Sequence, residues 1–190
     1  MSDPTEPQSD NPATIEAPLM ARLAALGIAA TVYRHPPLHT VAESQAQRGH
    51  MPGGHIKNLF VRDKKRRYWL VTVPEDADID LKALRHVLGA TGNLSFGAAE
   101  ALIDMLGVRP GAVTPFAVLN DTAGAVGFAL ERSLLETAPV NAHPLHNEAT
   151  IAVEPGDLLR FAEACDHPPL LFGLDQLADI AARRSADNGA

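Results

Sequence analysis

The chain is poor in cysteine and in aromatic residues, and both shortages limit its chemistry. Its 190 residues include one cysteine, Cys165, together with six Phe, two Tyr and one Trp. A single cysteine excludes an internal disulfide and a cysteine-based zinc site. So few aromatic residues leave the core to Leu, Val, Ile and Ala, and they make a base-stacking platform for nucleic acid unexpected.

Membrane and secretion signals are also missing. The longest stretch without Asp, Glu, Lys or Arg runs from His86 to Ala99, contains Gly and Asn, and is too short to span a bilayer. The N-terminal sequence MSDPTEPQSDNPAT has neither the basic nor the apolar region of a secretion signal. We therefore expect a soluble cytoplasmic protein without membrane contact.

Common catalytic motifs are absent, and the histidines do not replace them. There is no G-x-S-x-G, H-E-x-x-H, P-loop or G-x-G-x-x-G sequence. The pairs His35/His39 and His143/His146 lie in Pro-containing segments without a carboxylate at helical spacing. We interpret them as surface or loop histidines and predict no metal and no cofactor, with a metal hydrolase built on these pairs as the alternative.

The charge is acidic overall but basic in one segment. A net charge of −7 argues against a general polyanion binder, and no DNA partner is expected. Between Lys57 and Trp69, however, six basic residues accompany one acidic residue. Such a local excess is typical of a site for one phosphate-bearing ligand. The alternative for the tip of this segment, residues 64–67, is a solvated hairpin turn.

The hydrophobic pattern predicts one domain over residues 14–172, between a disordered tail at 1–13 and a C-terminal helix and tail at 173–190. Helices are predicted at 14–26, 40–47, 80–88, 95–106 and 157–165, with a last one after Gly173. Strands are predicted at 31–35, 55–62, 67–73, 116–120, 125–131, 139–143 and 149–153. We predict two hairpins, 55–73 and 116–131, in an α+β (mixed α/β) fold whose mixed, largely antiparallel sheet is flanked by helices.

Three segments contain side chains or main-chain groups suited to a ligand. Lys57 lies inside a predicted strand and, if Ile56 faces the core, points to the opposite side. The Gly- and Pro-rich loop 107–115 offers main-chain N–H groups, unless it is an ordinary connection. VNAHPLHN places His143 and Asn147 in a turn, which Asn147 alone could stabilise.

Together and in order, these segments resemble the YbaK/ProX family of freestanding aminoacyl-tRNA deacylases. The matching sequences are HPPLHTVAES (35–44), GGHIKNLFVRDKKRRYWLVTV (53–73), LSFGAAEALIDMLGVRPGAVTPFAVLND (94–121) and VNAHPLHNEATIAV (140–153). The resemblance implies a YbaK-like single domain without a metal. The implied catalytic residues are Lys57, Asn58 and His143, the substrate-binding residues are Thr40, Gly107, Pro110, Gly111, Ala112, Val113 and Asn147, and the tRNA-binding residues are Lys64, Lys65, Arg66 and Arg67.

Within this family the chain most resembles the ProX branch, which hydrolyses alanine mischarged onto proline tRNA. The implied partners are the acceptor end of that tRNA and prolyl-tRNA synthetase, and the vicinal hydroxyl of the terminal ribose would help to orient water. Two positions depart from the pattern: Ala142 stands where an aromatic residue is expected, and His146 occupies a variable position. The alternatives are a deacylase for cysteine or another small residue on the same tRNA, and an inactive relative that binds tRNA or an aminoacyl-adenylate.

Overall fold

A mixed sheet with helices on both sides forms the molecule. The computed structural model describes residues 11–37 and 51–187. The α-helices are α1 Pro12–Ala25, α2 Leu81–Val87, α3 Ala99–Leu106, α4 Pro155–Ala164 and α5 Leu174–Asp187. The strands are β1 Thr31–Arg34, β2 Gly54–Arg62, β3 Tyr68–Pro74, β4 Ser95–Phe96, β5 Val126–Glu131, β6 Val140–Ala142, β7 Ala149–Val153 and β8 Leu170–Phe172. Two 3₁₀ segments cover Pro115–Asn120 and Arg132–Glu136.

Strand β2 is central to the candidate site because three strands pair with it. The sheet order is β1-β7-β6-β2-β3-β5-β8, and β4 pairs with the far end of β2. β2 and β3 form the predicted antiparallel hairpin, whereas β2 pairs with β6 in parallel. The predicted fold class, a mixed sheet in an α/β domain, is confirmed.

Each face of the sheet is covered by its own hydrophobic cluster. The first face carries Ile56, Phe60 and Leu70, which pack with α1, α3 and α4. The second face carries Val61 and Val71, which pack with α2 and α5. Because alternate residues of a strand point to opposite faces, these two clusters assign every residue of β2 to one face or the other.

Local signals explain where α1 begins and ends. Asn11 caps the helix by accepting a hydrogen bond from the Ala13 N–H at 3.0 Å. At the other end Gly27 has a φ of 64°, and the Ile28 N–H donates to the Leu23 carbonyl at 2.9 Å. The predicted stop at Gly27 is confirmed, but the helix begins two residues earlier than predicted.

Two predicted elements are wrong. Residues 95–96 are not the first turn of a helix but strand β4, which pairs with Val61 and Arg62. Residues 116–120 are not a strand, because Phe116, Ala117 and Val118 are all buried in the 3₁₀ segment that begins at Pro115. The second hairpin therefore does not form, and β5 pairs with β3 in parallel instead.

The predicted C-terminal helix is confirmed as α5, and it completes the second hydrophobic cluster through Leu177, which is 5% exposed. No helix in the described ranges is long and apolar enough to cross a membrane. The helix predicted at 40–47, including Thr40, lies outside the described residues.

Candidate active site

Lys57 and Asn58 are neighbours in sequence but belong to opposite faces of the sheet. Lys57 pairs with Val73, which lies in the cluster on the second face, and Asn58 pairs with Thr72. Strand alternation therefore directs Lys57 to the second face and Asn58 to the first. The two residues that the resemblance brings together thus contact different parts of the protein.

Asn58 joins β2 to the Gly- and Pro-rich loop. Its Oδ1 accepts a hydrogen bond from Thr72 Oγ1 at 2.7 Å, and its Nδ2 donates to the Val113 carbonyl at 2.9 Å. Thr72 is fully buried, so this arrangement has little freedom to rotate. The geometry gives Asn58 a positioning role toward the loop at 107–115.

The 107–115 loop is fixed by contacts at its first residue and contains a tight turn at its centre. Gly107 has a φ of 64°, and a Cβ at that position would lie 2.8 Å from Asn120 Nδ2, which donates to the Leu106 carbonyl. In the middle, the Ala112 N–H donates to the Arg109 carbonyl at 3.0 Å. Pro at the second position and a φ of 88° at Gly111 are typical of a type II turn. Pro110 and Gly111 are exposed, whereas Ala112 is buried and Val113 is half-buried.

The register between β2 and β6 relates the position of Lys57 to that of His143. His55 pairs with Asn141 in parallel, and Lys57 and His143 each lie two residues further along. The pairing ends at His55 and Asn141. The same register, if continued, would place Lys57 beside His143 on the second face. Lys57 is half-buried and forms no ion pair with any residue of the ranges 11–37 and 51–187. A cation in such a position can contact an anionic or oxygen-rich ligand.

His143 lies beside a second histidine, His35, that sequence reasoning did not assign to the site. The rings of His143 and His35 lie 6.3 Å apart, and His143 Nδ1 is 3.0 Å from the Ala149 carbonyl. His35 Nε2 in turn lies 3.0 Å from Thr150 Oγ1. His35 precedes the Pro pair in the motif HPPLH, so its place in that motif was the available signal.

The turn that carries His143 and Asn147 is anchored by a buried carboxylate. His146 is 5% exposed, and its Nε2 lies 2.9 Å from Glu16 Oε2. Glu16, also buried, binds the Arg34 guanidinium through both carboxylate oxygens. The hydrogen bonds from Arg34 lower the pKa of Glu16 against the opposing effect of burial. His146 therefore lies in a loop, as one of the two interpretations has it, but it is buried rather than at the surface and links this turn to α1.

The same turn contains backbone strain, so the contact between His146 and Glu16 is important for holding its conformation. Leu145 has a φ of 71°, a region that bulky residues seldom adopt, and its side chain is buried. The flanking His146 also accepts a hydrogen bond on Nδ1 from the Glu148 N–H at 3.1 Å. Asn147, half-buried between them, has a position fixed by these neighbours.

A second buried histidine has a structural role. His167 is 4% exposed, and its Nε2 lies 3.0 Å from Asp121 Oδ2. Asp121 also accepts hydrogen bonds from the Ala125 and Val126 N–H groups, which fixes the start of β5. Among the residues that the structure describes, no group of three or more His, Cys, Asp or Glu side chains is placed to hold a metal ion.

Of the four cations at the hairpin tip, one binds a buried carboxylate and the other three project from the tip. Asp63 is buried and accepts hydrogen bonds from the N–H groups of Lys65, Arg67 and Thr91 and from the Arg67 guanidinium. Burial alone would raise the pKa of Asp63, but these donors together hold it well below its usual range. Arg67 is thus tied to the turn and also lies over Trp69 at 5.2 Å, whereas Lys64, Lys65 and Arg66 are exposed at the tip.

Comparisons with known proteins agree with this architecture. A model of the aminoacyl-tRNA editing domain matches residues 35–161. Prolyl-tRNA synthetase associated domain-containing protein 1 of Bos taurus is 40% identical over 168 residues, which cover 86% of this chain and 98% of that protein. Prolyl-tRNA editing protein ProX of Acetoanaerobium sticklandii is 35% identical over 147 residues, which cover 77% and 89%.

A solved structure also shares the fold. It is described as a candidate trans-editing enzyme for prolyl tRNA synthetase, and it superposes with a TM-score of 0.65 at 19% identity over 84% of this chain and 95% of its own. At that identity the likeness concerns the fold alone. With the domain match and the two relatives, it leads to one conclusion: the chain belongs to the aminoacyl-tRNA editing domain family, of the YbaK/ProX type that its sequence resembles.

Proposed function

We propose that this protein is a trans-editing deacylase that hydrolyses the ester of alanine mischarged onto proline tRNA, in the cytoplasm and without a metal ion. The observation that supports this most is the 35% identity to a prolyl-tRNA editing protein over 89% of that protein's length. The relative from Bos taurus is named for association with prolyl-tRNA synthetase. We extend that association to this chain, with the acceptor end of the tRNA as the substrate.

Such an enzyme corrects an error that a synthetase cannot avoid by binding selectivity alone. A synthetase pocket built for proline rejects the smaller alanine weakly, because a missing methylene is worth only about 1–3 kcal/mol. A second site that admits alanine and excludes larger residues removes the error. The resemblance assigns Pro110, Gly111, Ala112 and Val113 to that second site. Asn58 holds their loop on the first face of β2 through the Val113 carbonyl, whereas Lys57 lies on the second face.

The chemistry requires positioning more than a strong nucleophile. Hydrolysis adds water to the ester carbonyl and releases alanine and the ribose hydroxyl of the tRNA. Lys57 binds the phosphate or ribose of the terminal adenosine, and His143 holds the reacting end against it. The ester is already activated, so no covalent intermediate is needed.

A parallel deacylation assay tests the proposal. Purified protein is incubated with alanyl-, cysteinyl- and prolyl-tRNA for proline, each with and without EDTA. We expect alanine to be released fastest, proline to be retained, and EDTA to change nothing. Faster release of cysteine would reassign the specificity, and activity abolished by EDTA and restored by zinc would contradict a metal-independent reaction. Binding without release of any amino acid would favour a non-catalytic tRNA-binding protein.

A further inference from the structure

An aromatic ring lies exposed beside the basic hairpin. Phe96 is 62% exposed, the largest value among the exposed large hydrophobic residues in the described part of the chain. It lies on β4 directly opposite Val61, which is fully buried. A phenyl ring is normally buried because leaving it in water costs free energy. A single exposed apolar side chain is common on protein surfaces, so the charges near Phe96 decide whether it suits a ligand.

Cations lie beside the loop that leads to this ring, and the first acidic residue that follows the ring is Glu100. A Cβ at Gly92 would lie 3.3 Å from the Lys64 side chain, so the loop that leads to β4 touches the hairpin tip. Arg85 on α2 donates to Asn93 Oδ1 in the same loop at 3.2 Å. Residues 81–99 contain no Asp or Glu, and the Asp63 carboxylate is already occupied by Arg67 and Thr91.

The distance between Phe96 and Lys57 is comparable to the length of a few nucleotides. Its partner Val61 is four residues from Lys57 on β2 and faces the same side of the sheet. At roughly 3.3 Å per residue, the separation along the strand is about 13 Å. Because α2 and α5 cover the second face at Val61, a nucleic-acid strand could join Lys57 to Phe96 only along the edge of β2 that lies between β6 and β4. On that path the two residues are a few nucleotides apart.

We propose that Phe96, with the cations Lys64, Lys65, Arg66 and Arg85, forms a docking surface for the unpaired nucleotides that precede the terminal adenosine of tRNA. This proposal rests on the proposed function and adds the residue that receives a base. A planar ring stacks on any base, since every base has a π-face, and the flanking cations contact the phosphates. Lysine is depleted at protein–protein interfaces, and two of these four cations are lysines.

A comparison of two substrates distinguishes docking of the tRNA from hydrolysis of the ester. Full-length alanyl-tRNA for proline contains the unpaired nucleotides, whereas the alanyl ester of adenosine lacks them. For Phe96→Ala we expect KM for the tRNA to rise about tenfold, kcat to stay the same, and hydrolysis of alanyl-adenosine to be unchanged. Phe96→Tyr, which retains the ring, should keep the wild-type KM. Leu171→Ala, at a residue 48% exposed on β8, is the matched control and should change nothing.

Binding of RNA that carries no amino acid can be measured whether or not the protein hydrolyses an ester, so this test does not depend on the deacylase activity. A short single-stranded RNA ending in CCA is titrated against wild-type protein and Phe96→Ala, with fluorescence anisotropy as the readout. Weaker binding by Phe96→Ala alone supports the docking surface even if no ester is hydrolysed. Equal binding by both proteins overturns it, as does an equal loss of activity on both substrates. If Phe96→Ala weakens only the association with prolyl-tRNA synthetase, the surface binds protein and the proposal is also overturned.

Discussion

The two ends of β2 carry cations in different surroundings. At the hairpin end the Arg67 guanidinium binds the buried Asp63 carboxylate at 2.8 Å and also donates to the Gly89 carbonyl. Near the start of the strand, Lys57 has no ionic partner in the described ranges. In the sequence, Arg67 and Lys57 each count as one positive charge. The structure pairs the first with a buried carboxylate, and we propose that the second, which has no such partner in the described ranges, binds the ligand.

Removing α5 gives the largest expected effect, since α5 and α2 cover the second face at the Val61 end of β2. Truncation after Phe172 uncovers the second cluster, although the sequence predicts a sufficient domain at 14–172. We expect the truncated protein to unfold or aggregate. Leu177→Ala in the full chain should lower the free energy of unfolding by about 2–5 kcal/mol in urea denaturation. Leu171→Ala, at an exposed site, is its control, and a soluble truncated protein with wild-type activity would show that α5 is dispensable.

Lys57→Ala and Arg67→Ala test the comparison directly. Loss of a positioned cation at the reacting end should lower kcat/KM for alanyl-tRNA by a factor of about 100 or more. The Tm of Lys57→Ala should stay near the wild-type value, since a half-buried lysine contributes little packing. Arg67→Ala should behave in the opposite way, with a lower Tm and nearly normal turnover. Near-normal turnover of Lys57→Ala would contradict the site assignment, and Lys82→Ala on the exposed side of α2 controls for the removal of a charge.

Asp63→Asn probes the bound end through its pH dependence. The folded-state pKa of Asp63 lies below its ordinary value of 3.8, so the folded protein binds fewer protons than the unfolded chain. The resulting stability is present above that value and declines as the pH falls from about 5. Asp63→Asn should have a Tm several degrees lower at pH 7, and the gap to wild type should narrow toward acid. Asp76→Asn, at an exposed carboxylate, should show no such gap.

Glu16→Gln tests the anchor of the His143 turn. The amide keeps the shape of the carboxylate but weakens its bonds to Arg34 and His146, so the strained turn at Leu145 loses support. We expect kcat to fall by up to about tenfold with little change in KM, and the free energy of unfolding to fall by about 2 kcal/mol. Asp157→Asn, which breaks an exposed pair with Arg160, is the control. An unchanged kcat would restrict Glu16 to stability.

The same residues show what a sequence can and cannot predict. The β2–β3 hairpin was predictable because strand pattern and turn chemistry are local, and so was the stop of α1 at Gly27. The parallel pairing of β5 with β3 was not, because its register depends on contacts far along the chain. Lys57, the 107–115 loop and His143 were assigned to the site through motifs, and this assignment stays a prediction. Glu16 and His146 were missed, since a buried pair separated by 130 residues leaves no sequence spacing to recognise.

Reversing the exposed charges at the hairpin tip should have the smallest effect on chemistry. Lys64, Lys65 and Arg66 project from the tip, whereas Arg67 holds Asp63 and is left unchanged. With all three replaced by Glu, we expect KM for tRNA to rise severalfold while kcat is kept, because the tip lies beyond the far end of β2 from Lys57. The salt dependence of binding should also flatten, by about 0.7–0.9 in the log–log slope for each phosphate that the tip no longer neutralises. Reversal of Arg183 alone, on α5, controls for one reversed charge away from the tip and is compared with reversal of Lys65 alone. If the tip variant keeps the wild-type KM and salt slope, the three cations only solvate a turn, and the tRNA body is held elsewhere or through a synthetase.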